Sequence, residues 1–421
     1  MKLVRTASLS ALLATVFLAT SLYGALPNGS SGDPEPSAAD RQNRLGTEHA
    51  ARGDFRQAAG AFRKAVDLDP SMVVAHYNLG LALSRVDNHL DAVFAFQGAL
   101  RLAPSYFDAW FQLGLSLMAT ERFAEAATAF EECLGLRRGN AAARFRLGQS
   151  YWKAGKWAAV IAQWDSLLNE SPEHPSTALV RAEMPRAYYN VGLDRQSEGD
   201  VPGARDAYED ALRRDAAYTP ALNNLGVLIS ESGDDARAIE LFKNVLEIEP
   251  GHVGAQIGIA SALLDLNEPA KALRVYKDLY QRIPLDTRIH RGIVWSHFRL
   301  GNQDEALRWV ATSLAPIDPK EALLMKAYVL EHTSGGDRYG PGYDEDAVIA
   351  TYREVIDQFP DTPRAYHNLA VIHARSSRWA EAVGLLNQAL VADPSYVPAT
   401  KVLAEIKEIT KSQGIQILQI K

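Results

Sequence analysis

Small and aromatic residues return along this chain with a period of 34 residues. Glycine keeps that spacing at Gly46, Gly80, Gly114 and Gly148, and again at Gly192 and Gly226. Alanine keeps it at Ala58, Ala92 and Ala126 and then at Ala204, Ala238, Ala272 and Ala306, and an aromatic residue follows four positions later in most copies. A period of this length is typical of proteins in which each repeat is one supersecondary unit.

Each period predicts two helices joined by a short turn. Five of the turns contain a glycine: Gly53, Gly155, Gly199, Gly233 and Gly301. Proline near the end of a period, as at Pro70 and Pro104, cannot continue a helix and so predicts where the second helix stops. The small residues let the two helices approach closely, and the aromatic residue fills the space between successive units. No unit buries its apolar face alone, so stacking of neighbours is expected to produce one continuous core.

This pattern resembles the tetratricopeptide repeat family. The 34-residue consensus of that family has Leu-Gly at positions seven and eight, Ala at twenty, an aromatic residue at twenty-four and Pro at thirty-two. Ten copies are present, starting at Ala39, Val73, Phe107, Ala141, Pro185, Thr219, Val253, Thr287, Lys320 and Pro363. The resemblance implies an all-α fold, a right-handed superhelical solenoid of about ten helix-turn-helix units with a C-terminal capping helix.

The repeats divide the chain into segments. We predict a signal peptide or N-terminal membrane anchor at 1–26, a flexible linker at 27–38, repeats one to four at 39–174, an insertion at 175–184, repeats five to ten at 185–396 with a second insertion near 335–343, and a capping helix with a tail at 397–421. Local irregularity is expected at both insertions. In the capping helix, Val402, Leu403, Ile406 and Ile409 are expected to form the apolar face, because a solenoid needs its last unit shielded.

The N-terminal segment indicates export. Lys2 and Arg5 are followed by an uncharged, largely apolar stretch that ends in small residues, which is typical of a secretory signal peptide. Small residues near Ser21 favour cleavage there. An uncleaved segment 6–26 has about 20 residues, enough to span a bilayer, and would anchor the protein instead. We therefore expect a periplasmic or secreted protein, with any membrane contact made only through an uncleaved anchor.

Composition and motifs argue against several functions. The net charge of −7 arises from 51 acidic and 44 basic residues, so the chain lacks the basic footprint of a nucleic-acid binder. The single cysteine, Cys133, excludes an intrachain disulfide and a four-cysteine zinc site. No metalloprotease, nucleophile-elbow or phosphate-loop motif is found. We therefore predict a protein that is not an enzyme, with no catalytic residue, metal ligand or cofactor, and expect its binding face to carry the function.

The resemblance implies that the first helix of each unit lines a concave groove. Position six has a carboxamide in five repeats, at Asn78, Gln112, Asn190, Asn224 and Asn368. A ladder of carboxamides can pair with an extended peptide backbone, and it resembles the asparagine ladder in the repeats of O-linked N-acetylglucosamine transferase. The alternative is that asparagine is simply common at this position because it aids solubility.

Two further sets of residues are candidates for partner binding. Aromatic residues stand at position five in four consecutive repeats, at Tyr77, Phe111, Phe145 and Tyr189, where they either anchor a partner or pack against the neighbouring helix. Towards the C-terminus the same surface becomes basic, with Arg288, Arg291, Arg299, Arg364 and Arg375. Such a cluster suggests capture of an acidic segment or a terminal carboxylate, and the alternative is a solvated, salt-bridged face.

These observations favour a non-catalytic scaffold or adaptor. It would bind an extended peptide in the concave groove, or assemble a multi-protein complex in the cell envelope or extracytoplasmic space. The alternative is an accessory or regulatory subunit of an enzyme complex whose catalytic domain is on a separate chain. An affinity pull-down distinguishes the two, because the alternative predicts a stoichiometric enzyme in the eluate.

Overall fold

A computed structural model describes residues 36–332, 337–340 and 343–412. The predicted signal peptide or anchor, nearly all of the linker and the tail after residue 412 lie outside these residues. The described residues form 21 α-helices. Their bounds are α1 Ala38–Ala51, α2 Phe55–Leu68, α3 Val73–Arg85, α4 His89–Leu102, α5 Phe107–Ala119, α6 Phe123–Leu136, α7 Ala141–Lys153, α8 Trp157–Glu170, α9 Thr177–Ser197, α10 Val201–Arg214, α11 Thr219–Glu231, α12 Asp235–Ile248, α13 Val253–Asp265, α14 Pro269–Arg282, α15 Thr287–Arg299, α16 Gln303–Trp309, α17 Pro319–Leu330, α18 Glu345–Gln358, α19 Pro363–Arg375, α20 Trp379–Ala392 and α21 Val397–Ser412. None of the helices in these ranges is both long and apolar enough to cross a membrane.

The described helices belong to two compact bodies: α1–α7 lie in the first, which ends at Gly155, and α8–α21 lie in the second, which begins at Lys156. Within each body, a helix packs against the next one along the chain, as α1 does against α2 and α2 against α3. First helices of neighbouring units also touch, as α3 touches α5 and α13 touches α15. The all-α repeat fold predicted from the sequence is confirmed.

Glycine at position eight makes room for the aromatic ring of the second helix in the same unit. A Cβ atom built on Gly80 would lie 2.6 Å from Cε1 of Phe96, and one built on Gly114 would lie 2.6 Å from Cζ of Phe130. Both rings are fully buried. The glycine therefore lets the ring of the second helix lie directly against the backbone of the first helix.

Position six of the next unit also packs against the aromatic ring of the second helix. A Cβ atom built on Gly258 would lie 2.5 Å from Cζ of Phe242, and Gly292 stands against the ring of Tyr276 in the same way. Position six is thus an inter-repeat packing position as well as a groove position. This has consequences for the carboxamides described below.

Most turns between the paired helices contain one residue with a left-handed backbone. The five predicted turn glycines have φ values between 70° and 90°. In other units the same place is taken by Asp87, Glu121, Asn267 and Ser377, with φ near 60°. A side chain there is strained, which explains why glycine is the commonest residue at this turn.

The first insertion is helical, in contrast to the irregular segment expected. Helix α9 begins at Thr177 and continues through Pro185, so most of the ten extra residues lengthen the first helix of repeat five. Val180 and Met184 are buried and give the added turns an apolar side. Burial of that side offsets the backbone hydrogen bond that a proline inside the helix cannot make.

Helix α21 covers the last repeat. Ile406 and Ala399 of α21 are buried in one cluster with Leu386 and Ala389 of α20. Val402 and Leu403 are partly buried. Ile409 remains 40% exposed, so the apolar face of this helix is narrower than the sequence predicted.

Candidate functional site

Two adjoining cavities open beside the first helices of repeats seven to ten, in the body Lys156–Lys421. Their volumes are about 600 Å³ and about 390 Å³. They share Ser261, Leu264, Trp295 and Tyr328, so they form one continuous groove. We call it the arginine groove. Its walls come mainly from α13, α15, α17 and α19.

Four of the five predicted arginines line this groove. Arg288, Arg291 and Arg364 border the smaller cavity, and Arg299 borders the larger one. On α15 these arginines are separated by three and by eight residues, which keeps them near one face of the helix. The helical periodicity of repeat eight therefore directs three guanidinium groups to the same side.

The arginines differ in how far their charge is already paired. Arg288 donates to Asp286, with Nη2 2.6 Å from Oδ2, and this hydrogen bond lowers the pKa of the Asp286 carboxyl. Arg291 Nη1 lies 3.6 Å from Oε1 of Glu321. Arg299 and Arg364 form no ion pair within the part of the chain that the structure describes. Asp265 balances the charge of Arg299 across the larger cavity, so uncompensated positive charge is left at Arg364.

Aromatic rings form the centre of the groove. The ring centroids of Trp295 and Tyr328 are 4.7 Å apart in a T-shaped arrangement, and Phe298 lies 5.8 Å from each of them. His332 lies 4.4 Å from the Tyr328 ring. Trp295 and Tyr328 both stand at position nine of their repeats, a groove position, and that spacing alone could have identified them. Sequence reasoning from charge predicted the arginines but not these two residues.

The family follows from the sequence comparison. Models described as tetratricopeptide repeat match residues 43–107, 85–143, 111–175, 189–253 and 349–397, and a further one matches 230–292. These matches cover more than half of the chain. The chain belongs to the tetratricopeptide repeat family. A comparison with curated proteins found no match.

Solved structures similar to this chain include a tetratricopeptide repeat protein from Parabacteroides merdae ATCC 43184, which is 14% identical, with a TM-score of 0.48, over 64% of this chain and 98% of that one. Yeast Tom70 is 12% identical, with a TM-score of 0.41, over 89% of this chain and 96% of that one. A chain in the structure of Naa15/Naa10 bound to HypK-THB is 13% identical, with a TM-score of 0.44, over 88% of this chain and 66% of that one.

Arg375, the fifth predicted arginine, borders neither cavity of the groove. Its guanidinium carbon lies 4.5 Å from the ring centroid of Tyr339, a residue of the second insertion, and Arg338 stacks on the same ring at 4.8 Å. Tyr339 thus lies between two cations. The sequence predicted that Arg375 contacts a partner. In the structure it contacts Tyr339 of the second insertion.

A buried acid, which sequence reasoning missed, binds Arg338 of this insertion. Glu331 is fully buried and accepts hydrogen bonds from Nε of Arg338 at 2.9 Å and from the hydroxyl of Tyr352 at 2.6 Å. The ion pair and the tyrosine hydroxyl together compensate the desolvation of the carboxylate. Burial raises the pKa of the Tyr352 hydroxyl, with the nearby Glu331 carboxylate adding to the effect.

The position-six carboxamides are engaged inside the protein to different degrees. Asn368 is only 9% exposed, and its Nδ2 donates to the Tyr352 hydroxyl at 2.9 Å while its Oδ1 lies 3.1 Å from Nδ1 of His367. Nδ2 of Asn224 lies 3.5 Å from the hydroxyl of Tyr208, the aromatic residue of the second helix of the preceding repeat, and 3.3 Å from the Tyr189 hydroxyl. The reason is the packing of position six on the aromatic ring of the preceding repeat, which here is a tyrosine. Asn368 therefore cannot serve as a free rung of a ladder.

The remaining carboxamides are half-buried. Nδ2 of Asn78 donates to Oδ1 of Asn43 at 3.3 Å, beside a cavity of about 270 Å³ between α1 and α3. Gln112 and Asn190 are also half-buried. For these three residues the ladder stays a prediction.

The position-five aromatics lie mainly in the packing between repeats. Tyr77 and Phe145 are buried, and the Tyr77 ring lies 4.8 Å from that of Tyr106. Burial also raises the pKa of the Tyr77 hydroxyl. Phe111 and Tyr189 are half-buried, each with its ring 5.6 Å from a core aromatic ring. The geometry of Tyr77 and Phe145 fits the packing alternative and leaves little of either side chain for a partner.

Cys133 is buried beside the backbone of Phe107, as expected of a small core residue. Burial raises the pKa of its thiol to about 12. A thiol in that state is a poor nucleophile, because the thiolate is the reactive form.

Proposed function

We propose that this tetratricopeptide repeat protein is a non-catalytic scaffold that holds a segment of a protein partner in the arginine groove. One observation supports this above all: a continuous groove in which four arginines, among them the unpaired Arg364, stand around a cluster of aromatic rings. Arginine, tryptophan and tyrosine are the residues that dominate binding energy at protein interfaces. The groove is open along several first helices, which suits an extended segment.

The proposal places this scaffold outside the cytoplasm, in the cell envelope or the extracytoplasmic space. Its support is the N-terminal pattern of Lys2 and Arg5 followed by an uncharged apolar stretch. N-terminal sequencing of the mature protein from fractionated cells tests this. A start near residue 21 in the exported fraction is expected, and an intact N-terminus in the cytosolic fraction would contradict export.

Site-specific photocrosslinking tests groove binding. A photoreactive phenylalanine analogue replaces Leu324, which lines the smaller cavity, in the full chain in its native compartment. The matched control replaces Val391, which is 84% exposed on α20 and lines neither cavity of the groove. We expect a discrete crosslinked protein from position 324 that is absent from position 391. No crosslink at 324, or the same products at both positions, refutes the proposal.

A further inference from the structure

We propose that the segment held in the arginine groove is acidic and contains an aromatic side chain. Its carboxylates would lie in the smaller cavity, beside Arg288, Arg291 and Arg364, and its aromatic ring against Trp295 and Tyr328. This inference rests on the proposed function and adds the chemistry and the direction of the bound segment.

The smaller cavity selects carboxylates by its unbalanced charge. Three arginines line it: Arg288 is already paired with Asp286 and Arg291 faces Glu321 at 3.6 Å, so the uncompensated charge belongs to Arg364. Arg364 approaches from α19, and its side chain has no ion-pair partner within the described residues. A guanidinium group can donate two parallel hydrogen bonds to one carboxylate, so these groups favour an acidic partner. The basic lining is local, since the whole chain has a net charge of −7.

The aromatic cluster provides the second contact. Trp295 and Tyr328 are shared by both cavities, so a side chain seated on them is next to the basic lining. Aromatic pairs in offset or edge-to-face geometry gain more than their buried area provides. A ring from the partner can extend the T-shaped arrangement that Trp295, Phe298 and Tyr328 already have.

The larger cavity fixes the direction of the segment. It is lined by one carboxylate, Asp265, and one guanidinium, Arg299, so it has no excess of either sign. Unlike the smaller cavity, it does not favour an acidic side chain. The acidic residues of the partner therefore lie towards the N-terminal parts of α15, α17 and α19, and the rest of the segment extends towards the C-terminal parts of α13 and α15.

Peptide binding to the full chain tests the inference. The probe is a short fluorescein-labelled peptide with several aspartates around one tryptophan, and binding is followed by fluorescence anisotropy. We expect it to bind at least about tenfold more tightly than a peptide with asparagines in place of the aspartates. Replacement of its tryptophan by alanine should weaken binding by a similar factor. Raising the ionic strength should weaken the binding of the aspartate peptide but not that of the asparagine peptide.

Variants locate the effect in the groove. Arg291→Gln combined with Arg364→Gln should remove the preference for aspartate over asparagine, and Trp295→Leu should remove the preference for tryptophan. The control, Arg213→Gln combined with Arg308→Gln, makes the same change in net charge at exposed arginines of α10 and α16. It should leave the affinity within about twofold, because these charges do not line the groove. Circular dichroism verifies that each variant is folded.

The outcomes separate this inference from the proposed function. Equal binding of the aspartate and asparagine peptides overturns it, as does equal loss of affinity in the groove and control variants. Failure of the aspartate peptide to bind at about 1 mM also overturns it. If position 324 nevertheless crosslinks a partner through a neutral or basic segment, the proposed function stands and only the acidic chemistry is wrong.

Discussion

Replacing Gly80 with alanine tests the packing that defines the repeat. The new Cβ atom would lie 2.6, 2.7 and 2.8 Å from three carbons of the Phe96 ring, where carbon atoms normally stay about 3.5 to 4.0 Å apart. Phe96 is fully buried, with the Tyr77 ring centroid 5.9 Å away, so its ring has no free space to move into. Such overpacking costs about 1 to 3 kcal/mol. Alanine gains about 1 kcal/mol in helix propensity, so the net loss of stability is expected to reach about 2 kcal/mol.

The same substitution at Gly60 is a matched control. Gly60 also lies inside a helix, α2, but a Cβ atom there would meet no other atom within 4 Å. Only the gain in helix propensity remains, so Gly60→Ala should stabilise the protein by about 0.5 to 1 kcal/mol. Urea unfolding followed by circular dichroism compares the variants, and hydrogen exchange in α3 and α4 localises the effect. A Gly80→Ala protein as stable as Gly60→Ala would refute the packing argument.

Three other predictions concern stability. Ala92→Leu should cost about 1 to 3 kcal/mol by overpacking a fully buried site, and an unchanged melting temperature would mean that the repeat register is wrong. Burial lowers the pKa of His297 and His373. The unfolded chain therefore takes up protons before the folded one, so the melting temperature should fall as the pH drops below about 6.5, and a rise would contradict this. Asn368→Ala should lower the melting temperature, because it removes the donor to the Tyr352 hydroxyl. Asn190→Ala is the control and should not lower it to the same extent. Equal changes in melting temperature would argue against the packing of position six on the tyrosine.

The repeat architecture could be predicted because it depends on residues at fixed short spacings. Gly80 and Phe96 are 16 residues apart in the same unit, and the same pair recurs as Gly114 and Phe130. Each copy strengthens the signal from the others. The turn glycines were predictable for the same reason, since a left-handed backbone at one fixed place favours the same residue repeatedly.

The features that the sequence did not reveal depend on contacts that occur once. Helix α9 absorbs an insertion that has no counterpart in other repeats. Glu331 contacts Arg338, a residue of the second insertion, and Tyr352 of α18, and no periodic pattern marks that pairing. The hydrogen bond of Asn368 to Tyr352 was hidden from the sequence for a related reason. Whether a carboxamide at position six is free depends on whether the preceding repeat has a tyrosine whose hydroxyl needs a partner.

The candidate site was predicted by its charge but not by its shape. Arginine at groove positions suggested a basic surface, and the structure places four of those side chains along one groove. The aromatic centre depends on Trp295 and Tyr328, which come from different repeats and meet at 4.7 Å only after the repeats stack. The arginines of α15 could therefore be predicted from their spacing within one helix, whereas the contact between Trp295 and Tyr328 depends on the stacking of two units.

The central claim is that a protein partner occupies the arginine groove, and hydrogen exchange of the purified complex tests it most directly. The partner recovered by crosslinking at position 324 is bound to the full chain, and amide protection is compared with the free protein. We expect new protection in Thr287–Arg299 and Pro319–Leu330, the helices that contribute Arg291 and Tyr328. Helices Val73–Arg85 and Phe107–Ala119 should be unchanged. Protection confined to these last two helices would contradict the claim.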